Sequence, residues 1–379
     1  PAGASAHARQ NVSAAKRPHM INGPANRLYQ AKVQAGLIQA DAAQQQVLQY
    51  LDTMALALRA RKPMRFLGLQ LSKPVAVKGL YLWGRVGRGK TLLTELFLQT
   101  IGDVPHQRWH FHRFMNHVHQ QLALMPGTAD TLAVLAKSLS GQCRLLVLDE
   151  FFVSDIGDAM ILHRLLDQLA GHGVSIITTS NVPPDELYLN GLQRTSFLPC
   201  IALIKRACEV VELLSAQDYR LRTLSHAATY VTPNDEASRA LLGRQFSLLS
   251  GETPAPDSIE INQRPIPALA LSSGVAWFAF SALCEGPRSS ADYIEIARDF
   301  HTVLISDVPR FDTRHEDAAR RFVYLIDELY DRHVNVLLSA EADAFSLYGG
   351  NRLQREFERT SSRLAEMQSK DYLALEHRP

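Results

Sequence analysis

The sequence is poor in cysteine, in surplus charge and in long apolar runs, and each shortage excludes something. Its four cysteines among 379 residues, Cys143, Cys200, Cys208 and Cys284, form no C-x-x-C pair and lie in apolar surroundings. They read as small core residues kept reduced, with no disulfide framework. Forty Lys and Arg against 38 Asp and Glu leave a net charge of +2, so there is no global electrostatic drive toward nucleic acid or anionic lipid. The longest uncharged stretch, 265–284, is broken by Pro267 and by Ser272-Ser273-Gly274. Its apolar end, Val275 to Phe280, reads as a buried strand, and no integral membrane segment is expected. No N-K-x-D guanine-reading motif and no helix-turn-helix occurs. Residues 1–28 contain no acidic residue and no apolar signal core. They are expected to form a disordered, mildly basic tail, with a transit-type address as the alternative.

What remains is ordinary globular composition, 46% hydrophobic and 21% charged, in a chain long enough for two or three domains. Helical spacing of Val47, Leu48, Leu51, Met54 and Leu58 follows Asp41, a candidate N-cap with Gln44 at the capping-box position. Strand and helix signals then alternate. Strands are expected at Val77–Trp83, Trp109–Phe111, Leu145–Leu148 and Val174–Thr179, with helices at Lys90–Thr100 and Ala159–Ala170. That order implies a parallel sheet with crossovers on both faces. Residues 223–285 turn to Pro, Gly and Ser with strand-like runs such as Ser258–Ile261. Alternation resumes with helices near Tyr293–Phe300 and Arg320–Tyr330, strands at Thr302–Ser306 and Val334–Leu338, and a final helix at Arg355–Met367. The division is therefore a tail at 1–28, a helical entry at 29–70, a nucleotide-binding core at 71–222, a β-rich insertion at 223–285 and an α/β region at 286–379. No internal repeat is evident.

Gly84-Arg85-Val86-Gly87-Arg88-Gly89-Lys90-Thr91 has the G-x-x-x-x-G-K-T spacing of a phosphate-binding loop. It follows one apolar strand and opens an apolar helix, continuing into Leu92, so its backbone amides would converge on a nucleotide's phosphates. Lys90 would neutralise phosphate oxygens and the Thr91 hydroxyl would ligate Mg²⁺. In RLLVLDE an apolar strand delivers Asp149 and Glu150 at its carboxyl end. Asp149 is expected in the Mg²⁺ shell and Glu150 as the base for the attacking water, which makes ATP hydrolysis the expected chemistry. Asn181 ends a third strand and could orient that water, or could be turn chemistry. Arg194 could act across a subunit boundary as an arginine finger, or be a surface ion-pair residue. The histidines at 106, 110, 112, 117 and 119 invite a metal reading, but His117 and His119 diverge on a helix and cannot close a site together. Phe114 and Met115 are expected in a substrate-gripping loop.

LYLWGRVGRGKT at 80–91, HFHRFM at 110–115, LDEFFVSDI at 148–156, TTSNVPPDELY at 178–188, NGLQRTSFLP at 190–199 and QDYRLR at 217–222 together resemble the AFG1-type AAA+ ATPases. Later blocks, WFAFSALCEGPRSSADYIEIA, ARRFVYLIDELYD and FERTSSRLAEMQSKDYL, extend the resemblance from about Tyr29 to Leu373. It implies an α/β fold of the P-loop NTPase (AAA+/ASCE) type, a parallel sheet flanked by helices with a C-terminal α/β lid that carries the β-rich insertion. It implies ATP and Mg²⁺ as ligands, Asn181 as the sensor-1 residue, Arg194 as the finger of a homo-oligomeric ring, and Arg320 or Arg321 as the sensor-2 arginine. In bacteria it implies a cytoplasmic protein recruited to the division septum to act on FtsZ polymers. A mitochondrial quality-control factor and a helicase-loader-like ATPase are the alternatives; the balanced charge disfavours nucleic acid. Arg85 stands where that family more often has glycine, and 223–265 matches it least.

Overall fold

The computed structural model describes residues 23–378 except 37, 61–64, 67–68, 71–74, 86, 126–129, 215–223, 225–227, 252, 263 and 273. Val86 and the QDYRLR segment therefore lie outside the described residues, as does most of the expected tail. Helix α1 (Pro24–Gln34) already begins inside the segment read as tail, with Ala25 and Tyr29 fully buried. Proline at the first helical position starts it without sacrificing a backbone hydrogen bond. Helix α2 (Ala42–Ala60) follows, capped as expected by Asp41, whose carboxylate accepts from the Ala43 and Gln44 amides.

The first sheet is built from β1 (Gly79–Trp83), β2 (His106–His110), β3 (Leu145–Asp149), β4 (Ser175–Ser180) and β5 (Cys208–Glu212). Its spatial order is β2-β3-β4-β1-β5, and every pair is parallel. Strand periodicity assigns its two faces. Leu80, Leu82, Leu145 and Val147 pack under α1, α2 and α3 (Lys90–Thr100). Tyr81, Leu146 and Leu148 pack on the other face against α4 (Phe111–Ala123), α5 (Thr131–Gln142), α6 (Ile156–Gly171) and α7 (Arg194–Ala207). The expected short strand at 109–111 is corrected: β2 ends at His110 and Phe111 opens α4, so His110 and His112 do not share a strand face. The expected gripping loop is corrected too. Phe114 and Met115 sit inside α4, 0% and 1% exposed, because they lie on its apolar stripe toward the sheet.

The second sheet takes β6 (Tyr230–Val231), β9 (Ala270–Ser272), β10 (Val275–Ala279), β11 (Thr302–Val308) and β12 (Asn335–Ala340), in the order β9-β10-β11-β12-β6. Only β9 is antiparallel. A separate hairpin, β7 (Asp257–Ile261) and β8 (Arg264–Ala268), packs Ile259, Ile261 and Ile266 into the same core. Helices α8 (Glu236–Ser250), α9 (Ser290–Asp299), α10 (Glu316–Asp331), α11 (Gln354–Glu366) and α12 (Lys370–Leu373) complete this unit. The boundary placed at residue 285 runs through one sheet, since β10 and β6 precede it and pair with β11 and β12, which follow it.

The repeat that the sequence does not betray is present in topology. Strands β6, β10, β11 and β12 neighbour one another in the second sheet as β1, β2, β3 and β4 do in the first. Each unit runs strand, 16-residue helix, strand: β3-α6-β4 and β11-α10-β12. One interval in sequence separates Ile156 from Glu316, Val174 from Val334, Tyr188 from Tyr348 and Arg194 from Gln354. The Val174 amide donates to the Leu169 carbonyl at 3.0 Å, and Val334 to Leu329 at 2.9 Å. Identities at this interval are scattered, among them Leu169 and Leu329, Val174 and Val334, and Tyr188 and Tyr348, because burial on both faces demands only apolar strands, which any α/β unit supplies.

Candidate functional site

Three sheet positions converge at the carboxyl ends of β1, β3 and β4. The loop after β1 turns on glycines at positive φ: Gly84 (149°), Gly87 (77°) and Gly89 (93°). A side chain at Gly84 would also meet the Leu213 carbonyl at 2.9 Å, so the backbone can follow this path only without a Cβ. Arg85 is exposed, and Arg88, Thr91 and Leu92 are half-buried. Leu92 lies where a side chain on Gly251, the C-cap of α8, would touch it at 4.0 Å. The Lys90 ammonium turns back over the loop and donates to the carbonyls of Gly84 at 2.5 Å and Arg85 at 3.0 Å. It also donates to Asn181 Oδ1 at 3.0 Å. The lysine thus joins the end of β1 to the end of β4.

Asp149 ends β3, only 2% exposed. One carboxylate oxygen accepts from the Thr179 hydroxyl at 3.1 Å and the other from Arg108 Nε at 2.6 Å. Arg108 stands on β2 and also donates to Glu95 of α3. Burial alone would lower the Arg108 pKa, but Asp149 and Glu95 beside it raise it overall, so the cation is firmly held between them. Glu150 follows at φ 53°, a left-handed conformation held by its amide donating to Thr179 Oγ1 at 3.1 Å. Thr179 therefore orients both acidic residues. Arg108, Glu95 and Thr179 were missed in the sequence: a charge within a short strand looks like a solvent-facing residue until its partners are placed.

Glu150 opens onto a cleft of about 440 Å³ that it shares with His110, His112 and His119 from the first unit and with Arg298 and Asp299 from α9. Burial pushes the His110 imidazole below its ordinary pKa. The second unit docks here through Arg113 on Asp299 at 2.5 Å and His112 on Glu295 at 2.7 Å. The hydrogen bond between the last two raises the His112 pKa and lowers that of Glu295. Among the described residues no group of three or more His, Cys, Asp or Glu is arranged to hold a metal ion.

Arg194 opens α7 and donates to the Asp185 carbonyl. Its Nε is buried without a hydrogen-bond partner. Arg320 is exposed on α10, and Arg321 donates to the Cys284 carbonyl at 2.9 Å within the second unit. No described contact brings either to the phosphate loop. No helix among the described residues is long and apolar enough to cross a membrane.

The profile of the family described as AFG1-like ATPase matches residues 23–376. The cell division protein ZapE of Escherichia coli K12 is 45% identical over 307 residues, 81% of this chain and 82% of that protein. Lactation elevated protein 1 homolog B of Danio rerio is 33% identical over 348 residues, covering 79% and 69%. Among solved structures, DnaI aligns at 13% identity with a TM-score of 0.35, covering 48% of this chain and 87% of that one.

Proposed function

The chain belongs to the AFG1-like ATPase family, and from that premise we propose that its ATPase activity is Mg²⁺-dependent and remodels a protein partner, the FtsZ polymer of the bacterial division septum. The observation that carries the site assignment is the Lys90 ammonium bridging the glycine loop to Asn181, one strand away from Asp149 and Glu150. The loop from Gly84 to Leu92 would cradle the phosphates through its amides, and Lys90 would exchange its bonds to loop carbonyls for phosphate oxygens.

The donor set fits Mg²⁺. The Thr91 hydroxyl and the Asp149 carboxylate are hard oxygen donors, and the carboxylate is fixed in place by Thr179 and Arg108. When bound, the ion would neutralise charge on the β and γ oxygens. Glu150 takes the proton from the attacking water, and Asn181 orients that water through its amide. Arg194 acts on the γ-phosphate of a neighbouring copy, which makes the working form a ring. Arg321, which donates to the Cys284 carbonyl of the second unit, and Arg320, exposed on α10, are given no part.

Two experiments test this reading. Co-sedimentation with FtsZ polymers should show ATP-dependent loss of polymer with the wild type and none with Lys90→Ala. An identical pellet with and without ATP would remove the division role and leave the ATPase standing. Mixing Arg194→Ala with Lys90→Ala should restore part of the hydrolysis that each lacks alone, since one supplies sites and the other fingers. A fully active Arg194→Ala monomer would exclude the trans-acting role.

A further inference from the structure

A phosphate loop binds anions only if its amides face inward, so its carbonyls must be turned out and bonded elsewhere. The Arg88 carbonyl, immediately before Gly89, is turned toward α2 and accepts from Gln44 Nε2 at 2.8 Å. Gln44 is 1% exposed, although glutamine is mostly a surface residue. Its other amide atom, Oε1, lies 2.9 Å from the hydroxyl of Tyr29, which is itself fully buried. The Arg88 carbonyl, which can only accept, leaves one orientation of the amide, with nitrogen toward the loop, and the Tyr29 hydroxyl, which also has the Gln39 carbonyl at 3.1 Å, donates to Oε1 at the shorter distance. The hydroxyl in turn accepts from the Asp41 amide at 2.9 Å. The expected capping-box glutamine is thus used differently: Asp41 caps α2 while the Gln44 side chain leaves for the loop.

The same amide explains the glycine opposite it. A Cβ on Gly89 would come within 2.6 Å of Gln44 Nε2. Gly89 therefore meets two demands, a left-handed backbone and room for the amide that holds the loop.

We propose that Gln44, oriented by Tyr29, is a positioning residue for nucleotide binding: it holds the phosphate loop in its anion-receiving shape before ATP arrives. The inference rests on the assignment of this loop as the ATP site. Preorganisation acts on binding and leaves the chemical step alone, because Gln44, buried behind the loop, reaches the site only through the Arg88 carbonyl. The carbonyls of Gly84 and Arg85 accept from Lys90, which must leave them for phosphate. The Arg88 carbonyl has a partner that can stay.

The test is equilibrium binding of a fluorescent ATP analogue to the full chain, alongside kcat, KM and Tm. Gln44→Ala and Gln44→Glu should weaken binding by about tenfold and raise KM in step, with kcat within about twofold, as the loss of a buried hydrogen bond predicts. Tyr29→Phe, which keeps the ring and its packing, should weaken binding by about threefold. In the double variant the two losses should be less than additive, since both act through one amide. Wild-type affinity in both Tyr29→Phe and Gln44→Ala, whatever their Tm, would overturn the proposal, and so would a lowered kcat at unchanged KM. Lys90→Ala serves as the control: binding as tight as wild type there would overturn the site assignment and this proposal together.

Discussion

At the mouth of the first sheet β1 leads through three left-handed glycines into α3, whose first residue is Lys90. At the corresponding mouth of the second sheet β6 leads through Thr232-Pro233-Asn234-Asp235 into α8, whose first residue is Glu236. The Asp235 carboxylate accepts from the Ser238 amide at 2.8 Å and fills the helix N-terminus that phosphate would need. The differences continue around the site. Asp149 and Glu150 are answered by Ser306 and Asp307, Asn181 by Glu341, and Arg194 by Gln354. Yet the backbone is kept: Asp307 has φ 66° and donates its amide to Ser339 Oγ at 3.1 Å, as Glu150 at 53° does to Thr179. Asp307 is engaged by Arg239 at 2.5 Å. Two units with one connectivity thus differ by charge at the few positions to which the proposed function assigns phosphate, metal ion and water. Fold is shared, and the site is what distinguishes them.

Paired substitutions at matching places can break or sharpen this contrast. The largest effect is expected at the acidic residue after the third strand. Glu150→Gln should reduce kcat by about a thousandfold with ATP binding retained, as loss of a general base predicts. Asp307→Asn should leave kcat within about twofold. Comparable losses in both would mean that the second unit also takes part in chemistry. Next, Lys90→Ala should weaken ATP binding by about a hundredfold through loss of charge-assisted bonds. Asp235→Ala should lower Tm through loss of a cap and leave nucleotide affinity unchanged.

The support around the first site should matter to folding as well. Arg108→Ala would strip the buried Asp149 of its cation and cost about 3 kcal/mol of stability, read in denaturant unfolding. Asp307 and Arg239 are roughly half exposed, so Arg239→Ala should be nearly silent. The smallest effect concerns how the units dock. His112 has a raised pKa, so its contribution is full below its ordinary value of 6.5 and is lost as pH climbs through the raised one. Glu295 is depressed, so its contribution is full above 4.5 and is lost as pH falls through the lowered value. The pair therefore helps most between about pH 4.5 and 6.5. The Tm gap between wild type and His112→Ala should be clear at pH 6 and should shrink by pH 8.5.

The glycine turn into α3, the acidic strand end and most strand positions were legible because spacing and apolar runs encode them locally. Arg108 was not, since what makes it structural is Asp149 across the strand pair and Glu95 on another helix. Gln44 was read from its local spacing to Asp41, while its partners are an aromatic hydroxyl on α1 and a loop carbonyl after β1. Phe114 and Met115 looked like exposed anchors because the charged and polar residues around them hid the stripe they belong to. The second unit escaped notice for a different reason. What it shares with the first is strand order, a few backbone conformations and scattered identities such as Val334 and Tyr348, while Asp235, Glu236 and Ser306 stand where a motif search would look for glycine, lysine and aspartate.

Counting the nucleotides bound per chain tests that contrast most directly. Titration of the full chain with a non-hydrolysable ATP analogue and Mg²⁺ should saturate at one nucleotide, and Lys90→Ala should remove it. Saturation at two, or a site that survives Lys90→Ala and is lost on altering α8, would contradict the account.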